Sequence, residues 1–433
     1  MSYKTCSSIQ SSYKGVLWHN IGLTMADTGN KSYKVLPQVL SSLAVSWCAI
    51  CVGGWQSFSS IALPMMIAES EAFNKTDEIS ENHFIVNLHV GSWIVSTFFL
   101  GTILGCLLGG PLNQVFGPRR TLLVSAPICA LTWVMVALSH RIWVIYLSRL
   151  IAGILFGVWK TTVKVYNAEI AHPDLRGSLG AMISNLFALG NLFTYLLGYS
   201  VSSWRLLAWL LLLPSIVMAV VVFFVPDSPY WLLEKGREED ARSSLSKLRG
   251  PDYNIETEFA EMLNKKKSKD PDQSVLSLLF SKVFFRPFIR IGLLSVITHW
   301  AGISVVSSYM VNIFQDAGVS ISPSAAPMLV SSLQLVLSLV STFILRVAPR
   351  KPLFLVCGFL IMLGQLTLGV HGFLTGDNDS TVYGWVPVLA VAVVQSSQTV
   401  GFLAVIQLLI AESFPTQIRY NYLFQHTYSY RIL

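Results

Sequence analysis

The sequence predicts an all-α membrane protein with about ten transmembrane helices. Three observations carry this. Of the 433 residues, 53% are apolar and only 12% are charged, about half the charge of a soluble domain. The charge that remains sits in short clusters between apolar runs, as expected where lipid is the solvent. Those runs reach the roughly 20 residues a helix needs to cross a bilayer.

Ten such segments lie at 39–68, 89–111, 121–139, 142–164, 178–200, 204–225, 287–311, 325–345, 353–374 and 384–410. The first 38 residues are polar, Ser- and Lys-rich, and contain no apolar signal core, so the first span acts as its own insertion signal. Between the sixth and seventh spans lies the only long polar stretch, 226–286. Within it Ala241, Leu245 and Leu248, and then Ile255, Phe259 and Met262, recur at helical spacing and predict short amphipathic helices.

Orientation follows from lysine and arginine near the span ends. Lys4, Lys14, Lys31 and Lys34, then Arg119 and Arg120, the basic long loop, and Arg346, Arg350 and Lys351 all fall on one side. Glu69, Glu71, Asp77, Glu78, Glu81, Asp377 and Asp379 fall on the other. The N-terminus is therefore expected in the cytoplasm. The glycosylation sequons at Asn74 and Asn378 fall in outside loops, whereas the one at Asn30 falls inside and is expected to be unused.

The net charge of +7 is spread over alternate loops rather than over one face, which excludes a nucleic-acid partner and leaves the lipid bilayer. Of six cysteines, five lie in apolar segments and read as small hydrophobes. Cys48 and Cys51 lie mid-span with no second pair and no nearby histidine, so no metal or other cofactor is expected. No catalytic constellation, phosphate loop or nucleotide motif is present, which argues against an enzyme or an ATP-driven pump.

An internal repeat organises the spans. Glu169 and Arg176, seven apart with Pro173 between them, follow the fourth span; Glu412 and Arg419, with Pro415 between them, follow the tenth. These pairs are 243 residues apart, and Arg119-Arg120 and Arg350-Lys351 repeat at 231. Two similar offsets imply two homologous halves of like orientation, the arrangement that puts a substrate site between them.

The motifs then resemble those of a known family. Pro226-Asp227-Ser228-Pro229-Tyr230-Trp231-Leu232 after the sixth span is similar to the PESPRWL motif of the sugar porters of the major facilitator superfamily. So are Glu169, Arg176 and Gly177, Arg149 and Gly153 in the fourth span, and the turn from Gly109 to Arg120. Gly53-Gly54-Trp55 through Pro64, and Gly190-Asn191, resemble the insect trehalose carriers. The resemblance covers roughly 39–419.

It implies a major facilitator fold of two six-helix bundles: an N-terminal segment (1–38), an N-terminal bundle (39–225), a cytoplasmic helical linker (226–286), an incomplete C-terminal bundle (287–410) and a cytoplasmic tail (411–433). The chain ends 14 residues after Arg419, and Tyr420–Leu433 is too short to span, so a truncated member lacking the last two helices is expected. The resemblance further implies a plasma-membrane carrier of a small sugar, trehalose or a hexose. It gives a cytoplasmic gating network to Arg119, Arg120, Arg149, Glu169, Arg176, Asp227, Arg350, Glu412 and Arg419.

The sequence departs from the family at the sugar site. Where the seventh span usually reads QQxSGxN, it reads Thr298-His299-Trp300-Ala301-Gly302-Ile303-Ser304, followed by Tyr309. His299, Ser304 and Tyr309, with Ser184 in the fifth span and Gln407 in the tenth, are the candidate ligands for hydroxyl groups. The tenth span lacks the prolines that break it elsewhere, and Arg346 replaces a usual acid.

Lys160 and Lys164, four apart, share one face of the fourth span. Both lie near its cytoplasmic end, where Lys164 is expected to snorkel to the lipid interface. No Asp or Glu lies in the body of spans one, four or seven, which favours uniport over proton coupling. A facilitative carrier and a non-transporting sensor or regulatory partner both remain open on these residues.

Overall fold

The computed structural model describes residues 24–26, 32–74, 85–172, 175–251, 253–267, 282–319, 322, 324–375, 384–402, 405–406 and 409. Eight helices among them are long and apolar enough to cross a membrane, and 288–300 and 386–402 form shorter apolar helices. Among the described residues the fold is all-helical apart from an antiparallel pair of three-residue strands, β1 (Thr24–Ala26) and β2 (Ser32–Lys34), in the segment predicted as polar.

The first span is two helices, α1 (Leu36–Ser46) and α2 (Cys48–Asn74), interrupted at Trp47. Then follow α3 (Leu88–Phe116), α4 (Pro118–Ala137), α5 (Ile142–Ile170), α6 (Arg176–Ser200) and α7 (Trp204–Phe223). Asn87 caps α3 by accepting from the Val90 amide at 2.9 Å. Gly117, at φ +83, makes the sharp corner between α3 and α4 that glycine adopts readily.

Inside this half α3 packs along α5, α2 along α6 and α4 along α7. The α3–α5 contact is closest because glycines face each other. A Cβ on Gly105 would lie 2.0 Å from the Ile154 carbonyl oxygen, and one on Gly153 would lie 2.0 Å from that of Phe98. Lipid supplies no hydrophobic drive between helices, so such close backbone approach is a main source of association. Stacked Trp55, Trp133 and Trp159 fill the centre of the half. Leucines and phenylalanines such as Leu206, Leu213 and Phe223 stand exposed on its rim, where lipid would cover them.

The polar stretch forms α8 (Pro229–Glu234), α9 (Glu238–Arg249) and α10 (Ile255–Lys267). The predicted apolar faces meet: Ala241, Leu245, Phe259 and Met262 bury together with Trp231. Buried Arg249 donates to both Glu258 carboxylate oxygens, at 2.7 and 3.0 Å, and to the Ile170 carbonyl at 2.8 Å, tying this layer to the end of α5.

The second half contains α11 (Lys282–Trp300), α12 (Ile303–Ser308), α13 (Met310–Asp316), α14 (Ala326–Val347), α15 (Arg350–Thr375) and α16 (Val386–Ser397), which runs into a π-helical turn at Gln398–Phe402. The seventh span is thus broken rather than continuous over 287–311. Gly302, at φ +69, turns the chain between α11 and α12. The Gln365 side chain of α15 donates to the Ala301 carbonyl at 3.0 Å. The tenth span lacks the family's prolines, yet its helix still departs from α geometry, through the π turn. Residues 410–433 lie outside the described residues, and with them the expected tail.

Candidate functional site

The halves meet along α14 against α6, and along α12 and α13 against α2. Toward the end of the bundle that carries the loop after α2, two contacts join them. The Val311 amide donates to Ser60 Oγ at 3.1 Å, and Tyr195 Oη donates to the Ser307 carbonyl at 3.5 Å. Deeper, between the halves, lies a cavity of about 850 Å³. Its lining combines mid-bundle residues such as His299, Ser304 and Gln395 with residues nearer the linker end, including Cys48, Ser184, Lys160 and Lys164. Along α3 it also reaches Trp93, Phe99 and Leu100.

Four of the five residues singled out as sugar ligands line this cavity: His299, Ser304, Tyr309 and Ser184. They come together because the break at Gly302 ends α11 in mid-bundle and turns α12 across the space. Discontinuous helices are the usual carriers of transporter sites, since their interrupted backbone leaves polar groups for a ligand. His299 Nδ1 lies 2.6 Å from the Ser295 carbonyl oxygen. A carbonyl can only accept, so Nδ1 carries the proton there. Gln407 lies outside the described residues.

Sequence reasoning missed the amides. Gln395 donates to Ser307 Oγ, and Gln334 donates to Thr399 Oγ1 at 3.2 Å. Thr399 in turn donates to the Gln395 carbonyl at 2.9 Å, at the start of the π turn. Across the cavity Ser57 donates to Asn191 Oδ1 at 3.1 Å. Gln334, Gln395 and Asn191 are buried polar side chains within apolar spans, and that combination was the available signal. They supply paired donors and acceptors of the kind that match hydroxyl groups.

The lysines differ from expectation. Lys160 and Lys164 both line the cavity, so the face they share turns inward and Lys164 does not simply snorkel to lipid. Lys160 Nζ also sits 5.8 Å from the centre of the Phe156 ring.

The expected gating residues divide. At the linker end Arg119 pairs with Asp227 at 3.3 Å and donates to the Phe223 carbonyl at 2.7 Å. Ser228 Oγ donates to the Glu169 carboxylate, and Arg120 stacks over Trp231 at 5.5 Å. Burial pushes the Tyr230 phenol above its usual range, opposed by the charge of nearby Arg176. Arg176 and Arg350 are exposed at the starts of α6 and α15.

Arg149, grouped with this cluster on sequence, lies elsewhere. It is buried two turns from the opposite end of α5, donates to the Trp55 carbonyl at 2.9 Å, to Ile94 at 3.4 Å and to Ser59 Oγ, and stacks on Phe98 at 4.7 Å. It clamps α2 and α3 to α5, because three neutral acceptors there hydrogen-bond a guanidinium that lipid could not solvate. Glu412, Arg419 and Asn378 lie outside the described residues. Asn74 closes α2, its side chain likewise outside them.

Residues 38–427 match the model of a family described as sugar (and other) transporter. The chain is 29% identical over 385 residues to the facilitated trehalose transporter Tret1 of Apis mellifera ligustica, covering 88% of this chain and 74% of that protein. It is 28% identical over 396 residues to Tret1 of Drosophila virilis, covering 90% of this chain but only 42% of that longer protein. Among solved structures, the E. coli proton:xylose symporter XylE bound to 6-bromo-6-deoxy-D-glucose aligns with a TM-score of 0.71, over 90% of this chain and 86% of that one. At 21% identity this last likeness is one of fold, the major facilitator fold.

Proposed function

The chain belongs to the sugar (and other) transporter family, and from that premise we propose that it is a facilitative carrier of a small sugar, trehalose or a hexose, working by alternating access. It is a multi-pass membrane protein and not an enzyme; its place is the plasma membrane, with the N-terminus in the cytoplasm. The observation that carries the reading is the 850 Å³ cavity between the halves, joined across one end by Ser60–Val311 and Tyr195–Ser307 and lined by amides and hydroxyls from both halves.

In this reading the sugar sits among His299, Ser304, Tyr309 and Ser184, with Gln334, Gln395 and Asn191 completing its hydrogen bonds. The two contacts across the loop end part when the carrier turns outward. At the linker end the cluster around Arg119, Asp227 and Glu169, with Arg176, Arg350, Glu412 and Arg419, then draws the halves together. Partly desolvated ion pairs suit this role, because breaking them is offset by contacts made in the other state. Among the described residues no Asp or Glu lines the cavity, which supports uniport, since a coupled carrier needs a titrating acid beside its substrate.

Uptake of radiolabelled trehalose and glucose by oocytes expressing this chain tests the proposal. Uptake above that of water-injected cells, saturating with concentration, is expected. Uptake equal to the controls, with the protein present at the surface, overturns the carrier reading in favour of a sensor or regulatory partner.

A further inference from the structure

The break in the seventh span is held by a side chain that lies outside the cavity. His299 and Ser304 both line the cavity. In an unbroken α-helix, residues five apart stand about 140° apart around the axis, so no single face presents both. The turn at Gly302, at φ +69, brings them together and displaces one backbone group. In a continuous helix the Ala301 carbonyl would accept from the Val305 amide. That amide instead donates to the Gly302 carbonyl at 3.0 Å, as the Val306 amide does at 3.1 Å. Gln365 Nε2 takes up the displaced Ala301 carbonyl at 3.0 Å. The donor arrives on the same helix face that buries the break. Cys357, Ile361 and Gln365 recur every four residues and share one face of α15. Cys357 and Ile361 bury together with Ile303, and Ala301 packs beside them. One turn further on, this face offers an amide where the carbonyl stands.

We propose that Gln365 is a positioning residue for the substrate: by holding the Ala301 carbonyl it fixes the turn at Gly302 that lets His299 and Ser304 face one cavity. The inference rests on the carrier reading for what the cavity binds, and adds a residue that sets affinity from outside it. Gln365 is not among the lining residues, so it acts on a sugar only through the turn. Both partners of this bond belong to the second half, so it persists while the halves rock. The far end of α12 is held differently. There the Ser307 carbonyl and the Val311 amide meet Tyr195 and Ser60 of the first half, contacts that part with the halves. Removing the Gln365 donor therefore lowers the share of chains in the binding-competent arrangement, which weakens apparent affinity by the same factor. The contacts between the halves, and with them the rate of alternation, are left as they were.

Three variants test this. Gln365→Met keeps the length of the side chain and removes the donor. Gln365→His keeps a donor on a side chain of similar reach. Thr367→Val, on the exposed side of α15, is the control. Binding of trehalose and glucose by the purified full chain in detergent is measured beside oocyte uptake scaled to surface protein. Gln365→Met should raise Kd and KM together, roughly fivefold, with the maximal rate per surface carrier unchanged. Gln365→His should recover most of that loss, and Thr367→Val should show none. An unchanged Kd and KM in Gln365→Met overturns the inference, and parental uptake then leaves the carrier reading standing. A lower surface level or unfolding temperature with KM kept, or no folded Gln365→Met protein at all, also overturns it, because the bond then serves the fold rather than the site. Binding that weakens in Gln365→Met without uptake by any chain, the parent included, has the opposite meaning: the positioning role stands and the carrier reading falls. A parent that neither binds nor takes up either sugar removes both.

Discussion

Replacing Gly105 by alanine tests whether close backbone approach holds α3 against α5. The added Cβ would lie 2.0 Å from the Ile154 carbonyl oxygen, which belongs to the backbone and cannot swing aside. Restoring ordinary contact, from 3.4 Å upward, requires the helices to part by about 1.4 Å in a close-packed interior. Overpacking of this kind costs about 1–3 kcal/mol. Alanine also forms helix better than glycine, by up to about 1 kcal/mol, so a control with the same gain is needed. Gly369 of α15 supplies it, since a Cβ there meets nothing within 4 Å. The propensity gain is common to both variants and cancels in their difference, leaving the overpacking cost alone.

Thermal unfolding in detergent, followed by tryptophan fluorescence, should therefore place Gly105→Ala clearly below Gly369→Ala. Trp55 and Trp159 lie close to the α3–α5 contact and would report its loosening. Coincident transitions for the two variants would show that the α3–α5 contact tolerates a methyl group and that the glycine packing is not what holds it.

Other expectations follow from single contacts. Arg149→Met removes the buried donor that ties the Trp55 and Ile94 carbonyls and Ser59 to α5; with a loss of about 1–3 kcal/mol, surface biotinylation should find less mature protein. Wild-type surface levels would show that water reaches those acceptors. Gln395→Leu removes the donor to Ser307 beside the helix break, and a loss of about 1 kcal/mol should raise the uptake KM roughly fivefold; an unchanged KM removes this amide from the site. Asp227→Asn breaks a pair whose side chains are 20–24% exposed, so stability should move by less than about 1 kcal/mol while the uptake rate changes; a large stability loss with normal uptake would make the pair structural. Asn74→Gln should abolish one glycosidase-sensitive band shift, whereas a shift lost only with Asn30→Gln would invert the orientation.

Single residues show how far the sequence reached. The spans were legible because a bilayer core excludes unpaired charge and unpaired backbone, so long apolar runs have few other places to go. The linker helices were legible because Leu245 and Phe259 recur with helical period and have one another to bury against. The broken seventh span was not legible: glycine is a common residue in membrane helices, and the Gln365 side chain that meets the Ala301 carbonyl comes from another helix, 64 residues on. Arg149 was assigned to the wrong end because its motif is shared with the gating set, while its acceptors, Trp55, Ser59 and Ile94, lie 94, 90 and 55 residues away.

Composition and period thus determined that this chain lies in a membrane, with helices in its long polar linker, and the offsets of the repeated motifs predicted the two halves. Which way each helix turns its faces was decided only by tertiary packing, because hydropathy measures how apolar a segment is and is nearly blind to what stands beside it. Lys160 and Lys164 show the distinction: on sequence, Lys164 snorkels toward lipid and Lys160 has no assigned side, and only the packing of α5 against α3, with the second half opposite, turns both into the cavity.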